Sequence, residues 1–370
     1  MASAHDLPGD VDLGGPYDAL LVVSFGGPEA PDDVLPFMEN VTRGRGIPRE
    51  RLVAVSEHYQ LFGGVSPINA QNRGLVAAVE AELAGAGVEL PVYWGNRNWH
   101  PMLPVTLARM RDDGVRRALA FVTSAFSSYS GCRQYREDLA RARHEVGAGA
   151  PQIDKLRAFY NHPGFVGPMA TNLRVALAGI PEDRRAAAQV VFTAHSIPVA
   201  MADGSAYVAQ LREASRLVAA EAAPGLPWEL VFQSRSGPPS VPWLEPDVND
   251  HLADLHRRGV RDVAVVPIGF VSDHMEVRFD LDVEAARTAG ELGLHLVRAA
   301  TVGNHPRFAA MVRQLVEERI SAHPVRLAMG LHGPSHDACA LDCCPAPVRR
   351  PAPAEAGTGA PPAPAPSGAA

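Results

Sequence analysis

Short apolar runs alternate along the chain with longer stretches in which apolar residues recur every three or four positions. The runs predict strands over 18–25, 88–94, 117–123, 152–156, 188–195, 228–232, 262–270 and 294–298. The periodic stretches between them predict helices, and the clearest, over 69–84, carries Leu75, Val76, Val79 and Leu83 on one face. Strands that alternate with helices in this way indicate an α/β fold with parallel sheets.

The apolar run over 263–271 leads into an unusually acidic helical pattern. Ser272 is the predicted N-cap, and on the helix that follows Asp273, Glu276 and Asp280 fall at i, i+3 and i+7, on one face. Three carboxylates in a row repel one another, so the pattern favours a path for a cation or a proton at the carboxyl end of a strand. The alternative is a solvated helix start, where the helix dipole favours acids.

Two segments of the first half of the chain recur in the second half. The matches are 114–127 with 259–272, at an offset of 145 residues, and 22–28 with 192–198, at an offset of 170. The second match aligns Phe25 with His195. We therefore expect two similar α/β lobes whose strands end at a shared cleft, with Phe25 and His195 on opposite walls.

Composition and charge exclude several classes of function. The 370 residues carry a net charge of −7 without a basic block, which argues against a nucleic-acid partner. The longest apolar runs are about half of the ~20 residues that a membrane span needs. Residues 1–16 lack the apolar core of a signal peptide and predict a disordered leader, and the Pro/Ala-rich tail over 346–370 cannot fold. The sequence thus predicts a cytoplasmic protein.

His195 lies just past a predicted strand, in the segment TAHSIP over 193–198. A histidine at a strand end is most often structural, and a Ser–His hydrolase is a weak alternative because the chain has no G-x-S-x-G motif. The acidic stretch over 269–282 also follows a predicted strand, so it is expected at the same edge of the cleft as His195. This shared position favours a functional role for His195. An imidazole that faces a carboxylate can take a proton or hold a divalent metal loosely.

The four cysteines predict a metal site less directly. Cys339, Cys343 and Cys344 cluster in a polar segment beyond the last predicted helix, and Cys132 begins an exposed helix predicted over 132–146. In a cytoplasmic chain, structural disulfides are not expected. The spacing alone favours neither four unrelated thiols nor a metal site. The metal would be zinc or a Cys₄ [2Fe–2S] cluster. Three cysteines clustered in a tail that otherwise cannot fold favour metal.

Taken together, TAHSIP over 193–198 and GFVSDHMEVRFDLD over 269–282 strongly resemble the ferrochelatase family. The resemblance extends in the same order through FGGVSP (62–67), GNRNWHP (95–101), FQSRSGP (232–238) and WLEP (243–246). The family inserts Fe²⁺ into a porphyrin held between two Rossmann-like lobes. The resemblance implies an N-terminal lobe over 17–162, a C-terminal lobe over 163–330, a porphyrin cleft between them, and a cysteine segment over 331–345.

The same resemblance implies roles for individual residues. His195 and Glu276 would be the catalytic pair that takes the porphyrin protons and handles the substrate Fe²⁺, with the division of roles open. A proton or metal path behind them would use Asp273, His274 and Asp280. Porphyrin contacts would come from Phe25, Ser66 and Tyr135, and Phe25 stands where relatives carry a tyrosine or methionine, so it cannot ligate iron. Arg43, Arg45, His58 and Tyr59 lie where some relatives contact propionates. Arg43, Arg45 and Arg97 are candidates for the additional contacts that four propionates would need at the cleft rim, and the alternative for each arginine is a solvated surface residue.

Cofactor, substrate and partners also follow from the resemblance. Many ferrochelatases carry a [2Fe–2S] cluster on three C-terminal cysteines and one internal cysteine, which implies Cys132, Cys339, Cys343 and Cys344 here. The arrangement is similar to that of bacterial members that act on coproporphyrin III. The alternatives are a protoporphyrin IX ferrochelatase, a cobalt or nickel chelatase, and a non-catalytic tetrapyrrole-binding protein. We expect a monomer without a membrane span, whose partners are the porphyrin and the preceding and following enzymes of the haem pathway.

Overall fold

The computed structural model describes residues 16–44, 46–237 and 240–346. The predicted disordered leader and Pro/Ala tail lie outside the described residues except for residues 16 and 346, and Arg45 lies outside them as well.

The described part of the chain alternates strands and helices, as predicted. Its strands are β1 (Ala19–Ser24), β2 (Val92–Asn96), β3 (Arg117–Val122), β4 (Gln152–Lys155), β5 (Gln189–His195), β6 (Trp228–Gln233), β7 (Asp262–Val266) and β8 (His295–Arg298). Its helices in the first half are α1 (Val34–Val41), α2 (Arg49–Gln60), α3 (Ile68–Gly85), α4 (Leu103–Asp112), α5 (Gln134–Val146) and α6 (Pro163–Ala178). Those in the second half are α7 (Glu182–Arg185), α8 (Val199–Asp203), α9 (Tyr207–Ala222), α10 (Val248–Arg257), α11 (Met275–Val277), α12 (Ala286–Leu292) and α13 (Pro306–Ile320). None of these helices is long and apolar enough to cross a membrane.

The strands form two parallel sheets of identical topology. The order is β2-β1-β3-β4 in the first sheet and β6-β5-β7-β8 in the second. The sequence repeat coincides with this symmetry, because β5 lies at an offset of 170 residues from β1 and β7 at an offset of 145 from β3. The predicted α/β fold with two similar Rossmann-like lobes is therefore confirmed.

The two inner strands of each sheet, β1 and β3 in the first and β5 and β7 in the second, are buried on both faces, which explains why they are largely apolar. In β1, Leu20 and Val22 enter one core, whereas Leu21 and Val23 enter another on the opposite face. The first of these cores also contains Phe192 of β5, so the two sheets share it. The C-terminal helix α13 packs against both α3 and α6 and closes this shared core.

The acidic stretch departs from the predicted strand and helix. β7 ends at Val266 because Pro267 has no N–H to donate to the sheet. The helix begins at Met275, where His274 and not Ser272 is the N-cap: its Nδ1 accepts a hydrogen bond from the Glu276 N–H at 3.2 Å. From Arg278 to Ala285 the backbone is π-helical before α12 begins.

A second π-helical turn, Tyr129–Arg133, precedes α5. The Ser128 hydroxyl caps this turn and accepts a hydrogen bond from the Gly131 N–H at 2.9 Å. The helix predicted over 132–146 therefore starts later, at Gln134, and its expected exposure was wrong on one side, where Arg136 and Asp138 are buried.

Gly269 fixes the distance between the ends of β5 and β7. Its N–H donates to the Thr193 carbonyl at 3.0 Å. A Cβ at this position would lie 2.6 Å from the Ala194 Cβ and 2.8 Å from the Ala194 Cα. The close approach therefore requires glycine, and it sets the position of the acidic stretch relative to His195.

We predict that Gly269→Ala lowers the free energy of unfolding by about 1–3 kcal/mol, because the added methyl group overpacks a rigid contact between strand ends. Urea denaturation followed by circular dichroism measures the change. The control is Gly290→Ala in α12, where the methyl group meets no atom within 4 Å and a better helix former should stabilise by about 0.5–1 kcal/mol. Equal stability of Gly269→Ala and the parent protein would contradict the packing argument.

Candidate active site and cysteine centre

His195 is the last residue of β5, so its ring emerges at the carboxyl end of the second sheet. Its Nδ1 lies 2.5 Å from the Ser196 carbonyl oxygen, and since a carbonyl only accepts, Nδ1 is the donor. The Tyr207 hydroxyl donates to the His195 carbonyl at 3.0 Å and holds the backbone. These contacts orient Nε2 towards Glu276, whose Oε1 lies 3.6 Å away.

Glu276 lies in the short helix α11, and its side chain is 51% exposed, compared with 31% for His195. Its main chain is held on both sides: its N–H by His274 and its carbonyl by the Gln233 side-chain amide, at 3.1 Å. The separation of 3.6 Å between Nε2 and Oε1 is longer than a hydrogen bond, so the two side chains form an ion pair. A ligand that enters between them can therefore reach the Glu276 carboxylate and, once His195 is neutral, its Nε2 lone pair.

The two side chains shift each other's pKa. Burial disfavours the imidazolium, but the Glu276 carboxylate, the Ser196 carbonyl and Asp280 outweigh it and raise the pKa of His195. Burial likewise opposes ionisation of Glu276, but the charge of His195 outweighs it and lowers the pKa of Glu276 to about 2. His195 and Glu276 thus each favour the charged form of the other.

The three acids predicted to share one helix face are separated in the structure. Asp273 precedes the helix and pairs with Arg298 at 3.0 Å, and Arg298 also pairs with Asp282. Asp280 accepts hydrogen bonds from the Ser234 hydroxyl and from the Gln233 amide. The prediction assumed a regular α-helix, but the late helix start and the i→i+5 geometry of the π-helix change which residues lie above one another.

Asp280 differs from the other acids in its protonation. Burial raises its pKa to about 7; the hydrogen bond from Ser234 opposes the shift, and the charges of Glu276 and Glu284 add to it. Ser234 delivers its hydroxyl from a left-handed backbone conformation, with φ of 60°, which is costly for a residue with a Cβ. Asp280 is thus a carboxyl that can gain or lose a proton near neutral pH, and it interacts with the charges of Glu276 and His195.

Phe25 follows β1 at the position equivalent to His195 and is 37% exposed. Its ring packs edge-to-face on Phe37 at 6.2 Å, and the Arg97 guanidinium lies 5.8 Å from its centroid. The Arg97 side chain is itself buried, with Nε 2.9 Å from the Asp138 carboxylate. Arg97 is therefore not the solvated rim arginine considered from the sequence, whereas Arg43 is exposed.

Ser66 and Tyr135 are both buried in the first lobe. The Ser66 N–H donates to the Pro28 carbonyl at 2.8 Å, which ties it to the loop that follows Phe25. The Tyr135 ring lies beneath Arg97, 4.8 Å from the guanidinium. Arg97 thus lies against both rings, Phe25 and Tyr135.

Contacts that the sequence did not indicate connect the two lobes at this edge. The His58 ring of α2 stacks on Phe279 of the π-helix, with centroids 3.9 Å apart and planes at 9°. Gln71 of α3 accepts a hydrogen bond from the Asp273 N–H at 3.0 Å, and Arg278 lies over Phe62 at 5.0 Å. The motifs containing Phe62 and Phe279 were visible in the sequence, but no pattern indicated that these rings face partners in the other lobe.

The four cysteines come together although Cys132 is about 200 residues from the others. Cys132 contacts Cys339 and Cys344, and Cys343 contacts the same two, with 3.7 Å between the Sγ atoms of Cys343 and Cys344. The thiols thus form a closed ring in which each contacts two others. Arg133 holds the segment in place, because its guanidinium donates to the Leu341 carbonyl at 2.7 Å.

The ring favours thiolates at two of its four positions. Hydrogen bonds from Cys339 and Cys344 lower the pKa of Cys132 strongly; burial opposes them, and the positive charges of Lys155 and Arg136 assist. Hydrogen bonds from the same two thiols lower the pKa of Cys343 to about 2. The same hydrogen bonds raise the pKa of Cys339 and of Cys344, with Cys132 as the largest cause and Cys343 as the next. Four convergent sulfur atoms beside cations are the kind of donor set that a four-thiolate metal centre uses.

Comparison with known proteins gives a consistent result. The family model described as ferrochelatase matches residues 17–320. A curated coproporphyrin III ferrochelatase from Streptomyces griseus is 55% identical over 367 residues, covering 94% of this chain and 97% of the relative. One from Streptomyces coelicolor is 54% identical, covering 95% and 99%, and a ferrochelatase from Rhodopirellula baltica is 54% identical, covering 91% and 95%.

Among solved structures, SirB from Bacillus subtilis with Fe³⁺ has a TM-score of 0.50 at 12% identity, covering 83% of this chain and 97% of SirB. A likeness at this identity concerns the fold alone. The family model includes the motifs from FGGVSP (62–67) to GFVSDHMEVRFDLD (269–282), and these three relatives cover 91–95% of the chain. This chain belongs to the ferrochelatase family.

Proposed function

We propose that this protein inserts ferrous iron into coproporphyrin III, which gives the iron porphyrin coproheme in haem biosynthesis. The observation that carries the proposal is the pair formed by His195 and Glu276, 3.6 Å apart and partly exposed at the carboxyl end of the second sheet. The names of relatives about 55% identical support coproporphyrin III as the substrate. The alternative within the same reaction is protoporphyrin IX, since the Rhodopirellula baltica relative is named only a ferrochelatase.

The porphyrin lies between the two lobes in this proposal. β1 and β5 are equivalent strands, so Phe25 and the catalytic pair extend from the same end of their sheets. The lobes are proposed to divide at residue 163, because α6 begins at Pro163 between the last strand of the first sheet and the first strand of the second. Phe25, Ser66 and Tyr135 form the first-lobe side, with Tyr135 acting through Arg97, which covers its ring.

The charges assign separate roles to Glu276 and His195. Glu276 remains a carboxylate at every physiological pH and is the more exposed of the two, so it meets the incoming Fe²⁺. A cation at Glu276 would cancel the attraction that raised the pKa of His195, and the imidazolium would then pass its Nε2 proton to solvent, which reaches the partly exposed pair. Neutral His195 then presents the Nε2 lone pair as the base that takes a pyrrole proton.

Asp280 completes the proton path. It lies near the pair, it interacts with the charges of both His195 and Glu276, and its pKa of about 7 lets it accept and release a proton at neutral pH. Asp273 does not take part in this proton path, because its carboxylate is paired with Arg298. His274 positions the Glu276 backbone as the helix cap.

We also propose that Cys132, Cys339, Cys343 and Cys344 hold a [2Fe–2S] cluster. When bound, such a cluster supplies a rigid cross-link and a one-electron redox centre. The thiol ring fits it through its four donors and the neighbouring cations Lys155 and Arg136. The residues that hold it would fasten the cysteine segment over 331–345 to the first lobe next to Arg133.

An insertion assay with two porphyrins and two metals tests the substrate. We predict that kcat/KM for Fe²⁺ is at least about tenfold higher with coproporphyrin III than with protoporphyrin IX, because loss of a charge-assisted hydrogen bond costs about 1.5–3 kcal/mol. Co²⁺ should insert more slowly than Fe²⁺ into the preferred porphyrin. A preference for protoporphyrin IX would overturn the substrate assignment, and porphyrin binding without any insertion would indicate a carrier.

Glu276→Gln tests the catalytic pair. We predict that kcat falls by about 10²–10⁴-fold, because the amide cannot attract Fe²⁺ or discharge His195, while the Kd for porphyrin, measured by fluorescence quenching, changes by less than about threefold. Glu291→Gln is the matched control, since Glu291 is an exposed glutamate in the next helix. Retention of most of the activity in Glu276→Gln would remove Glu276 from the mechanism.

Metal and sulfide analysis tests the cluster. We predict about two irons and two acid-labile sulfides per chain in protein isolated without oxygen, and loss of both in Cys132→Ser. Removal of the metal by a chelator should expose the segment over 331–345 to proteolysis without unfolding the sheets. A colourless protein that contains zinc would contradict the assignment.

A further inference from the structure

The cysteine centre has a fifth potential ligand, His336. Its Nε2 lies 3.5 Å from Cys339 Sγ and 4.0 Å from Cys343 Sγ. The ligand atoms of these three residues all lie within 4.8 Å of one another. A metal with four coordination positions would therefore meet one donor more than it can bind.

His336 lies on the solvent side of the thiol ring. Cys132, Cys339 and Cys344 are buried, whereas Cys343 is only partly buried and His336 is exposed. An open cavity of about 460 Å³ borders this side, and its walls include His336, Cys343 and Gln210. The imidazole therefore has room to turn, and of the two cysteines that it contacts Cys343 is the more exposed.

Imidazole is a suitable replacement for this thiolate. Zinc accepts Cys₃His as readily as Cys₄ in structural sites, and histidine replaces cysteine on iron in some [2Fe–2S] centres. His336 is tethered three residues before Cys339, so a metal bound to Cys339 already lies within reach of its Nε2. The exchange also removes one negative charge, because a neutral ring takes the place of a thiolate.

We propose that His336 is a reserve ligand that replaces Cys343 when the Cys343 sulfur is not bound, so that the metal stays on Cys132, Cys339, Cys344 and His336. The Nε2 lone pair forms the new bond while Nδ1 keeps the ring proton, and the released Cys343 thiolate takes a proton from water. The role of His336 rests on the proposal that the centre holds a metal. It concerns the donors of this chain and applies to iron and to zinc.

Four variants of the full-length protein test the exchange: Cys343→Ala, Cys344→Ala, His336→Ala, and Cys343→Ala combined with His336→Ala. Alanine is used because a serine oxygen could itself ligate. Cys344→Ala is the matched control, since Cys344 is the neighbouring residue in the ring and the thiol contacts of His336 described above are with Cys339 and Cys343. Bound metal is measured by mass spectrometry, and dithionite-reduced samples are examined by pulsed EPR.

We expect Cys343→Ala to retain at least half of the wild-type metal, with an absorption shift and a directly coordinated nitrogen in the pulsed EPR spectrum. The double variant and Cys344→Ala should retain less than a fifth, and His336→Ala alone should keep the wild-type spectrum. Equal metal loss in Cys343→Ala and Cys344→Ala, or equal retention in Cys343→Ala and the double variant, would overturn the proposal.

The wild-type measurement separates this inference from the cluster assignment. If the wild-type protein contains zinc, the [2Fe–2S] assignment fails, and metal-free protein reloaded with Zn²⁺ decides the role of His336 through the same four variants. If the wild-type protein binds neither iron nor Zn²⁺, both proposals fail. Cys343→Ala and the double variant both lack the Cys343 thiol, so a folding defect caused by its loss affects both equally. The difference in metal content between the two variants therefore reports on His336.

Discussion

The candidate active site depends on the pairing of β5 with β7. Because the two strands are parallel neighbours, the side chains that follow each of them emerge at one edge of the sheet. The close approach of Gly269 to Ala194 then brings the loop after β7 down onto the end of β5. His195 and Glu276, 81 positions apart in the sequence, meet as a consequence of this contact.

The inner strands of the sheets could be predicted from the sequence because they are buried on both faces. β3 and β5 agree with the predicted ranges to within one residue, since continuous apolar runs have no competing pattern in this chain. β2 lies several residues later than predicted: its residues Val92–Trp94 are only partly buried, so the apolar signal is weaker there. The start of the acidic helix was wrong for a different reason. Its acids are held by Arg298 and Ser234, which come from other strands and their loops, and a local periodicity contains no information about them.

The candidate site likewise has residues that could be predicted from the sequence and surroundings that could not. The motifs indicated His195 and Glu276, and the fold brings them together because each is fixed by its own strand end. The surroundings of Arg97 could not be predicted, since its partner Asp138 lies on a helix that follows another strand and both side chains are buried. The pKa of Asp280 is likewise a tertiary property, because burial of the carboxyl is its largest cause. Sequence patterns thus identified the chemistry, whereas packing decided which charges remain available.

Lys155 allows selective labelling of the cysteine centre with amine-specific reagents. It is the only lysine in the sequence, and it lies beside Cys132, where its charge favours the thiolate. Reagents that acylate or reductively methylate amines therefore have two kinds of target in this chain, the amino terminus and a side chain at the thiol ring. Labelling at Lys155 with an isotope-enriched methyl group would place a single resonance next to the centre, and its paramagnetic broadening would report directly on an iron bound there.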